Sequence, residues 1–252
     1  MNGKYGFIDK NGKEVIPCKY DSAYSFSEGL AYVQMNGKCG FIDKNGNEVI
    51  PCKYDDAGSF SEGLALVKMN GKYGFIDKNG KEIIPCKYYI AWNFSEGLAG
   101  VIMNGRWGFI DKNGKEVIPC KYDWANTFSE GLAGVKMNGK YGFVDKNGNE
   151  VIPCKYGYAG RFYEGLASVE MNGKYGFIDK NSNEVIPCKY GYAGSFSEGL
   201  AKVEMNGKFG FIDKNGNEVI PCKYGYADSF SKGLALVKKN GCRFYIDKTG
   251  KE

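Results

Sequence analysis

One segment of fourteen residues recurs at a fixed interval along the whole chain. FIDKNGKEVIPCKY first occupies residues 7–20, and near-identical copies begin at residues 41, 75, 109, 143, 177 and 211, an interval of 34 residues. A fixed period of this size is typical of arrays in which each repeat packs on its neighbours. It predicts one repeat domain over residues 1–252, with repeats at 1–34, 35–68, 69–102, 103–136, 137–170, 171–204 and 205–238 and a partial C-terminal repeat at 239–252.

Each repeat has the pattern of three antiparallel β-strands separated by glycine turns. In the first repeat the strands are expected at 4–9, 14–20 and 30–34, and the turns at DKNG and MNG. Both faces of these strands carry apolar side chains, which a lone three-stranded meander cannot bury. We therefore expect adjacent repeats to cover one another's flanks through equivalent surfaces.

The repeat predicts an all-β fold, and two architectures fit it. A closed seven-bladed β-propeller is one, although its blades usually have four strands and about 40–45 residues. The partial C-terminal repeat also duplicates the first strand, as RFYID against KYGFID, instead of supplying a missing one. These observations favour an open, superhelical, solenoid-like array of three-stranded units.

One hairpin departs from the pattern. Ser182 stands where the other copies of the DKNG turn have glycine. If that position requires a positive φ, a residue with a Cβ atom is strained there. We expect the hairpin of Ser182 to be the least stable of the series.

The residues available for chemistry are few. The chain has no histidine, which excludes Ser-His-Asp and Cys-His catalysis and histidine metal sites. Asp9 and Glu14 resemble a pair of catalytic carboxylates, but the pair recurs in every repeat beside lysines and is better explained as surface charge. We expect a protein that is not an enzyme and that needs no cofactor.

Seven of the nine cysteines occupy one repeat position, beginning with Cys18 and Cys52. An odd total without a CxxC pair is unlike a disulfide framework, so free, buried thiols in a reducing compartment are expected. A metal-binding ladder of these thiols is the alternative, and no metal site is predicted.

Charge and hydropathy restrict the partners. The net charge is +5, with both signs interleaved within each repeat, whereas nucleic-acid binders usually gather basic residues on one face. There is no apolar run long enough for a membrane span and no signal-peptide pattern at the start. The expectation is a cytoplasmic protein that binds no nucleic acid and whose exposed end strands favour end-to-end self-association.

The segment GRWGFIDKNGKEVIPCKYD at 105–123 and the trailing FSEGLA resemble the WG-repeat family, also called KWG repeats. The resemblance extends over the whole chain, although the tryptophan of the motif survives only at Trp107. Elsewhere tyrosine, Cys39 or Phe209 replaces it, which suggests a packing role. The family is widespread in bacterial proteins of mostly unassigned role, so the resemblance implies a β-repeat scaffold and no activity.

Positions that vary between repeats are the candidates for binding. Counted from the first residue of each repeat, positions 21, 22, 24, 32 and 34 vary while their neighbours stay fixed. Aromatic residues at positions 22 and 24 are predicted to line one side of the array and bind a protein: Tyr24, Trp92, Trp124, Tyr158, Tyr192 and Tyr226. A carbohydrate- or cell-envelope-binding module and a purely structural spacer are the alternatives. In the last case the rings are tolerated variation at the edge of the core.

Overall fold

The computed structural model describes residues 3–252, and every regular element in that range is a β-strand. Two compact units divide the chain, unit 1 ending at Tyr122 and unit 2 beginning at Asp123. The strands of unit 1 are β1 Tyr5–Ile8, β2 Glu14–Tyr20, β3 Ser22–Ala23, β4 Ala31–Met35, β5 Lys38–Ile42, β6 Glu48–Tyr54, β7 Asp56–Ala57, β8 Ala65–Met69, β9 Lys72–Ile76, β10 Glu82–Tyr88, β11 Ile90–Ala91, β12 Ala99–Met103, β13 Arg106–Ile110 and β14 Glu116–Tyr122.

The strands of unit 2 follow the same order. They are β15 Trp124–Ala125, β16 Leu132–Met137, β17 Lys140–Asp145, β18 Glu150–Tyr156, β19 Tyr158–Ala159, β20 Ala167–Met171, β21 Lys174–Ile178, β22 Glu184–Tyr190, β23 Tyr192–Ser197, β24 Leu200–Met205, β25 Lys208–Ile212, β26 Glu218–Tyr224, β27 Tyr226–Ala227, β28 Leu234–Lys239 and β29 Cys242–Asp247. The all-β tandem array predicted from the period is confirmed.

A complete sheet has four antiparallel strands, one more than the sequence predicted. In the first of them the order is β3-β4-β5-β6. The additional strand, β3, is two residues long and lies in the segment predicted as a loop; it pairs Ser22 with Gln34 and Ala23 with Val33. Each sheet therefore crosses the boundary of the 34-residue repeat, and six such sheets lie between the two-stranded β1–β2 and the three-stranded β27–β28–β29.

Successive sheets within a unit bury one another's apolar side chains. In unit 1, Phe41 of one sheet lies with Phe60 of the next, their ring centroids 5.0 Å apart, in a cluster of buried residues from both sheets. In unit 2, Phe143 and Phe162 repeat this contact at 4.8 Å. Because each sheet presents the same flank to the next, the predicted packing of neighbours is confirmed within each unit.

Within each unit, a glutamate in the SEGL turn binds one sheet to the next. The Glu28 carboxylate accepts a hydrogen bond from the Gly63 N–H at 3.1 Å and pairs with Lys78 Nζ at 3.1 Å. This pair of contacts, which we call the glutamate clamp, recurs in unit 2, for example from Glu198 to Gly233 and Lys248. Such a carboxylate satisfies a turn N–H that would otherwise face solvent.

The glycine of the WG motif is required by a close approach of the fourth strand. A Cβ atom at Gly210 would lie 2.5 Å from the Ile220 carbonyl oxygen and 2.6 Å from the Cys222 nitrogen. In β29 the equivalent residue is Phe244, which packs on Tyr224.

The turns have the geometry that the glycines indicate. Asn36 and Gly37 in the MNG turn have φ values of 52° and 74°, as a type I′ turn requires. Ser182 has a φ of 68°, and its Oγ is buried without a hydrogen-bond partner among the described residues. The positive φ is confirmed, and the low stability of this hairpin stays a prediction.

The two units are each built from the same sheet. The single domain over residues 1–252, and the choice between an open array and a closed seven-bladed ring, remain predictions. Three strands per repeat had favoured the open array, because propeller blades usually have four. The complete sheets have four strands, so the strand number no longer favours the open array.

Candidate interaction surface

The variable positions of one repeat lie side by side on three adjacent strands. In the sheet that begins at β19, Tyr158 is directly opposite Glu170, and Glu170 is directly opposite Tyr175. Cross-strand partners point to the same face of a sheet. Repeat positions 22 and 34 therefore share a face with the aromatic residue of the next WG motif, which is position 5.

In unit 2 these side chains form a continuous line of rings, the aromatic row. Its centroid-to-centroid distances are 5.6, 5.9, 5.9, 5.9 and 6.3 Å from one end to the other. The rings belong, in order, to Trp124, Tyr141, Tyr158, Tyr175, Tyr192 and Phe209.

The rings hold one another in place and remain accessible. Neighbouring planes are inclined by 44–73°. The two end pairs are edge-to-face, which is an arrangement that aromatic pairs favour, and the three pairs between them are tilted. Tyr158 and Tyr192 are each 42% exposed, whereas Tyr175 between them and the other rings of the row are half-buried. The row therefore presents mainly Tyr158 and Tyr192 to solvent, each next to rings that are held by packing.

Lys202 closes the C-terminal end of the row. Its ammonium lies 5.5 Å from the ring centroids of both Tyr192 and Phe209 and 6.0 Å from that of Tyr226. It also donates a hydrogen bond to the Ala227 carbonyl at 2.8 Å. Burial lowers the pKa of this ammonium, and the three rings and the carbonyl stabilise its charge.

Two tyrosines in this region have raised pKa values, for different reasons. Burial is the main cause at Tyr158, followed by the neighbouring rings of Tyr192 and Tyr175. At Tyr226 the main cause is the hydrogen bond that its hydroxyl donates to Asp228. These hydroxyl groups are neutral donors at neutral pH, and the exposed part of the row carries no charge of its own.

The surface rings of unit 1 are arranged differently, because position 24 supplies them and they stack on rings that lead into the core, as Tyr32 does towards Phe41 at 6.3 Å. Tyr24 stacks on Tyr32 with centroids 4.0 Å apart, and Trp92 stacks on Trp107 at 5.3 Å with planes 9° apart. Trp92 lies so close to Gly100 that a Cβ there would be 2.9 Å from its ring. Position 22 holds no aromatic residue in this unit, where it is Ser22, Asp56 and Ile90.

The structure thus separates the six predicted binding residues into two sets. Trp124, Tyr158 and Tyr192 belong to the aromatic row, and Tyr226 meets it through Lys202. Tyr24 and Trp92 lie in unit 1, each stacked on a single ring and each more than two-fifths exposed. Tyr141, Tyr175 and Phe209 were not among the predicted binding residues, because the aromatic residues of the WG motif were assigned to packing. Lys202 was not among them either, because only aromatic residues were chosen from the variable positions, to which its position 32 belongs.

A shallow groove beside Trp92 is a second feature of unit 1. It encloses about 210 Å³ and is bordered by Asp56, Tyr73, Trp92 and Asn93. At the equivalent place in unit 2, Tyr158 stands where unit 1 has Ile90, and its ring lies 5.9 Å from that of Tyr141.

The repeated cysteines are placed for packing. The Sγ atoms of Cys86, Cys154 and Cys222 lie 3.8–3.9 Å from valine carbonyls two strands away in the same sheet. Burial raises the pKa of the Cys120 thiol to about 11, so it is protonated at neutral pH. Within residues 3–252, no three histidine, cysteine or acidic side chains are grouped closely enough to bind a metal ion, and no helix could span a membrane.

The comparison with protein families gives one assignment. The model described as "WG containing repeat" matches seven successive segments at 5–39, 40–73, 73–107, 107–141, 141–175, 175–209 and 209–241. No curated protein sequence matches the chain significantly.

Solved structures of similar fold share little sequence. A eukaryotic initiation factor is 12% identical, with 94% of this chain and 89% of that chain covered and a TM-score of 0.50. The dihydro-heme d1 dehydrogenase NirN is 14% identical, with 96% and 68% covered and a TM-score of 0.50. BamB from Moraxella catarrhalis is 13% identical, with 89% and 79% covered and a TM-score of 0.47. At these identities the likeness shows a β-repeat fold and nothing further.

Proposed function

Because the chain belongs to the WG-repeat family, whose repeats account for residues 5–241, we propose that it is a non-enzymatic scaffold that binds a protein partner. The binding surface is the aromatic row of unit 2, together with Tyr226. The observation that carries this proposal is the line of half-exposed rings that contact one another from Trp124 to Phe209.

The physical support is the low cost of burying these rings. A tyrosine or tryptophan supplies a large apolar area with few rotatable bonds, and such residues dominate the affinity of many protein interfaces. In the row their freedom is already restricted by neighbouring rings, so a partner does not have to order them. The charged residues at position 34, Lys136 and Glu170 among them, border the rings and supply a polar rim.

A protein fits the row better than a glycan does. A sugar stacks on the flat face of a ring, and the inclined rings of the row cover part of one another's faces. Their exposed edges and hydroxyl groups suit the mixed apolar and polar surface of a polypeptide. The length of the row, spread over successive sheets, also suits an extended partner surface.

The experiment is a quantitative capture of partners from lysate of the source cells with immobilised full-length protein. We compare the wild type with the double variant Tyr158→Ala/Tyr192→Ala. The matched control is Tyr163→Ala, which removes a ring of similar exposure, 40%, from the same unit but outside the row. Thermal melting establishes that all three are folded.

The expected result is a protein retained by the wild type and by Tyr163→Ala but lost with the double variant. Equal retention by all three proteins would contradict the aromatic row as the binding surface and would favour a structural spacer. Turnover of any substrate in an activity screen would contradict the non-enzymatic assignment.

Carbohydrate binding is the second candidate, and the groove of unit 1 is the observation that favours it. Trp92 has one face against Trp107 and is 42% exposed, beside the carboxylate of Asp56 and the amide of Asn93. A flat ring next to polar side chains suits a sugar. Binding on a glycan array that is lost with Trp92→Ala but kept with Tyr158→Ala/Tyr192→Ala would favour this function.

A further inference from the structure

A second kind of site is found by comparing which carboxylate accepts hydrogen bonds beside the MNG turn in successive repeats. In the first repeat, the Asp21 carboxylate accepts hydrogen bonds from the Asn36 N–H at 2.7 Å and from Lys4 Nζ. In the second, Asp55 pairs with Lys38 Nζ at 2.7 Å. A carboxylate therefore occupies a defined place beside this turn, which we call the carboxylate seat.

Unit 2 fills the same seat in two ways. Asp123 accepts a hydrogen bond from the Asn138 N–H at 2.8 Å, as in unit 1. In the next two repeats glycine replaces this aspartate, and a glutamate at position 34 takes over. The Glu204 carboxylate accepts from the Gly207 N–H, and its Oε2 lies 2.0 Å from where a Cβ of Gly191 would be.

Two repeats have neither acid. In the third, the large side chain of Tyr89 stands at position 21 and Ile102 at position 34. The seventh differs from the third because its position 21 is a glycine, Gly225, and its position 34 is Lys238. A Cβ at Gly225 would meet only the Lys238 carbonyl, at 3.8 Å, so the space that holds a carboxylate elsewhere is open. The turn itself is retained, since Asn240 and Gly241 have φ values of 51° and 87°.

The surroundings of this seat are strongly basic. In the sixth repeat the equivalent cleft encloses about 400 Å³ and is lined by Lys174, Lys189, Gly191, Glu204, Met205 and Asn206. One repeat later, the residues at these positions are Lys208, Lys223, Gly225, Lys238, Lys239 and Asn240, all exposed. Two lysines become four, and the glutamate is lost.

We propose that the carboxylate seat of the seventh repeat binds an aspartate or glutamate side chain from an acidic segment of a protein partner. This side chain accepts hydrogen bonds from the turn N–H groups of Asn240 and Gly241 and from the surrounding lysines. These donors correspond to the Asn36 N–H and the Lys4 ammonium that Asp21 contacts. Successive turn N–H groups form concave anion sites, and lysines add charge-assisted hydrogen bonds. The inference rests on the proposed function only in that the carboxylate belongs to a protein.

The test is a fluorescence-anisotropy titration of full-length protein with a labelled peptide of consecutive glutamates and with its glutamine analogue. Two variants fill the seat from within the chain: Gly225→Asp restores the arrangement of Asp21, and Lys238→Glu that of Glu204. Asn215→Asp is the control, because it makes the same charge change as Gly225→Asp at an exposed turn outside the seat.

The expected result is binding of the glutamate peptide alone, weakened about tenfold or more by Gly225→Asp and by Lys238→Glu and less than about twofold by Asn215→Asp. A tenfold change is what the loss of one hydrogen-bonded charged contact produces. Absence of binding, or equal weakening by Asn215→Asp and Gly225→Asp, would overturn the proposal. Neither result depends on the aromatic row, whose variants are tested separately by capture.

Discussion

The two units are built from the same four-stranded sheet, which we call the frame, and they differ on one face of it. In both, the same glycines, turn residues and buried phenylalanines build the same sheet. At position 22, however, unit 1 has Ser22, Asp56 and Ile90, whereas unit 2 has Trp124, Tyr158, Tyr192 and Tyr226. The aromatic residues at position 22 of unit 2 connect the rings of successive WG motifs into a row, and unit 1 has no ring at position 22 to make this connection. Repetition therefore fixes the scaffold, and a single variable position decides what each unit presents to solvent.

The largest expected effect is on the frame, and it should be the same in both units. Gly74→Ala in unit 1 and Gly176→Ala in unit 2 each place a Cβ within 2.5 Å of a backbone oxygen of the fourth strand. We expect each to lower the free energy of unfolding by about 3 kcal/mol, since backbone cannot move aside as a side chain can. Urea denaturation measures the loss.

The control for these variants is Gly194→Ala, where the new Cβ would have its nearest contact at 3.7 Å. It should change the free energy of unfolding by less than about 0.5 kcal/mol. A loss in one unit but not in the other would mean that the frame is not shared.

The row should contribute to stability in unit 2 alone. Tyr175→Ala removes a ring that contacts both Tyr158 and Tyr192. We expect a loss of about 1–2 kcal/mol, because aromatic pairs are worth about 0.5–1.5 kcal/mol each beyond their buried area. Tyr73→Ala is the matched variant of unit 1, where position 22 supplies no ring. If the two variants cost the same, the contacts along the row have no energetic significance.

Exchanging one turn residue between the units should give effects of opposite sign. Ser182→Gly in unit 2 relieves a residue at φ 68° and removes a buried hydroxyl without a partner. The expected gain in the free energy of unfolding is about 1 kcal/mol. Gly80→Ser in unit 1, at φ 77°, should cost about the same. Thermal melting of both variants checks the signs, and stabilisation by Gly80→Ser would contradict the explanation.

The smallest effect concerns the glutamate clamps, which both units have. Hydrogen bonds from Lys78 and Lys248 are the main cause that lowers the pKa of Glu28 in unit 1 and of Glu198 in unit 2 from the ordinary value of 4.5. A carboxylate whose pKa is lower in the folded state stabilises the fold above its unfolded pKa. That contribution is lost as the pH falls below about 4.5 and through the folded value.

Glu28→Gln and Glu198→Gln should therefore be slightly less stable than the wild type at pH 7, because such exposed pairs contribute little. The difference should diminish as the pH falls below about 4.5 and through the lowered pKa of each carboxylate, as urea midpoints measured across this range would show. A difference that is constant with pH would mean that the carboxylate charge has no part in the clamp.

The sequence predicted the parts of the fold that repeat without change. The three longer strands of each repeat, the Asn36-Gly37 turn and the burial of Phe41 were foreseeable from the apolar pattern and from the turn residues. The strand Ser22–Ala23 was not, because two residues of variable side chain carry no periodic signal and are defined only by their pairing with Gln34 and Val33.

The aromatic row was foreseeable only in part. Position 22 stood out because it varies, whereas Tyr141 and Tyr175 were taken as packing residues because the substitutions at position 5 keep a ring in most repeats. Their contact with Tyr158 depends on the cross-strand register and on how successive sheets stack, and neither is written in a local pattern. One clue was available, since positions 22, 34 and 5 of the next repeat fall opposite one another once the fourth strand is known.

The aromatic row is tested most directly by measuring whether its rings contact one another in solution. In full-length protein with labelled tyrosines, nuclear Overhauser effects from the ring protons of Tyr158 report its neighbours. With centroids 5.9 Å from both Tyr141 and Tyr175, Tyr158 is expected to show cross-peaks to both rings. Cross-peaks to neither ring, with Tyr158 shifts like those of a free tyrosine, would contradict the row and the binding surface built on it.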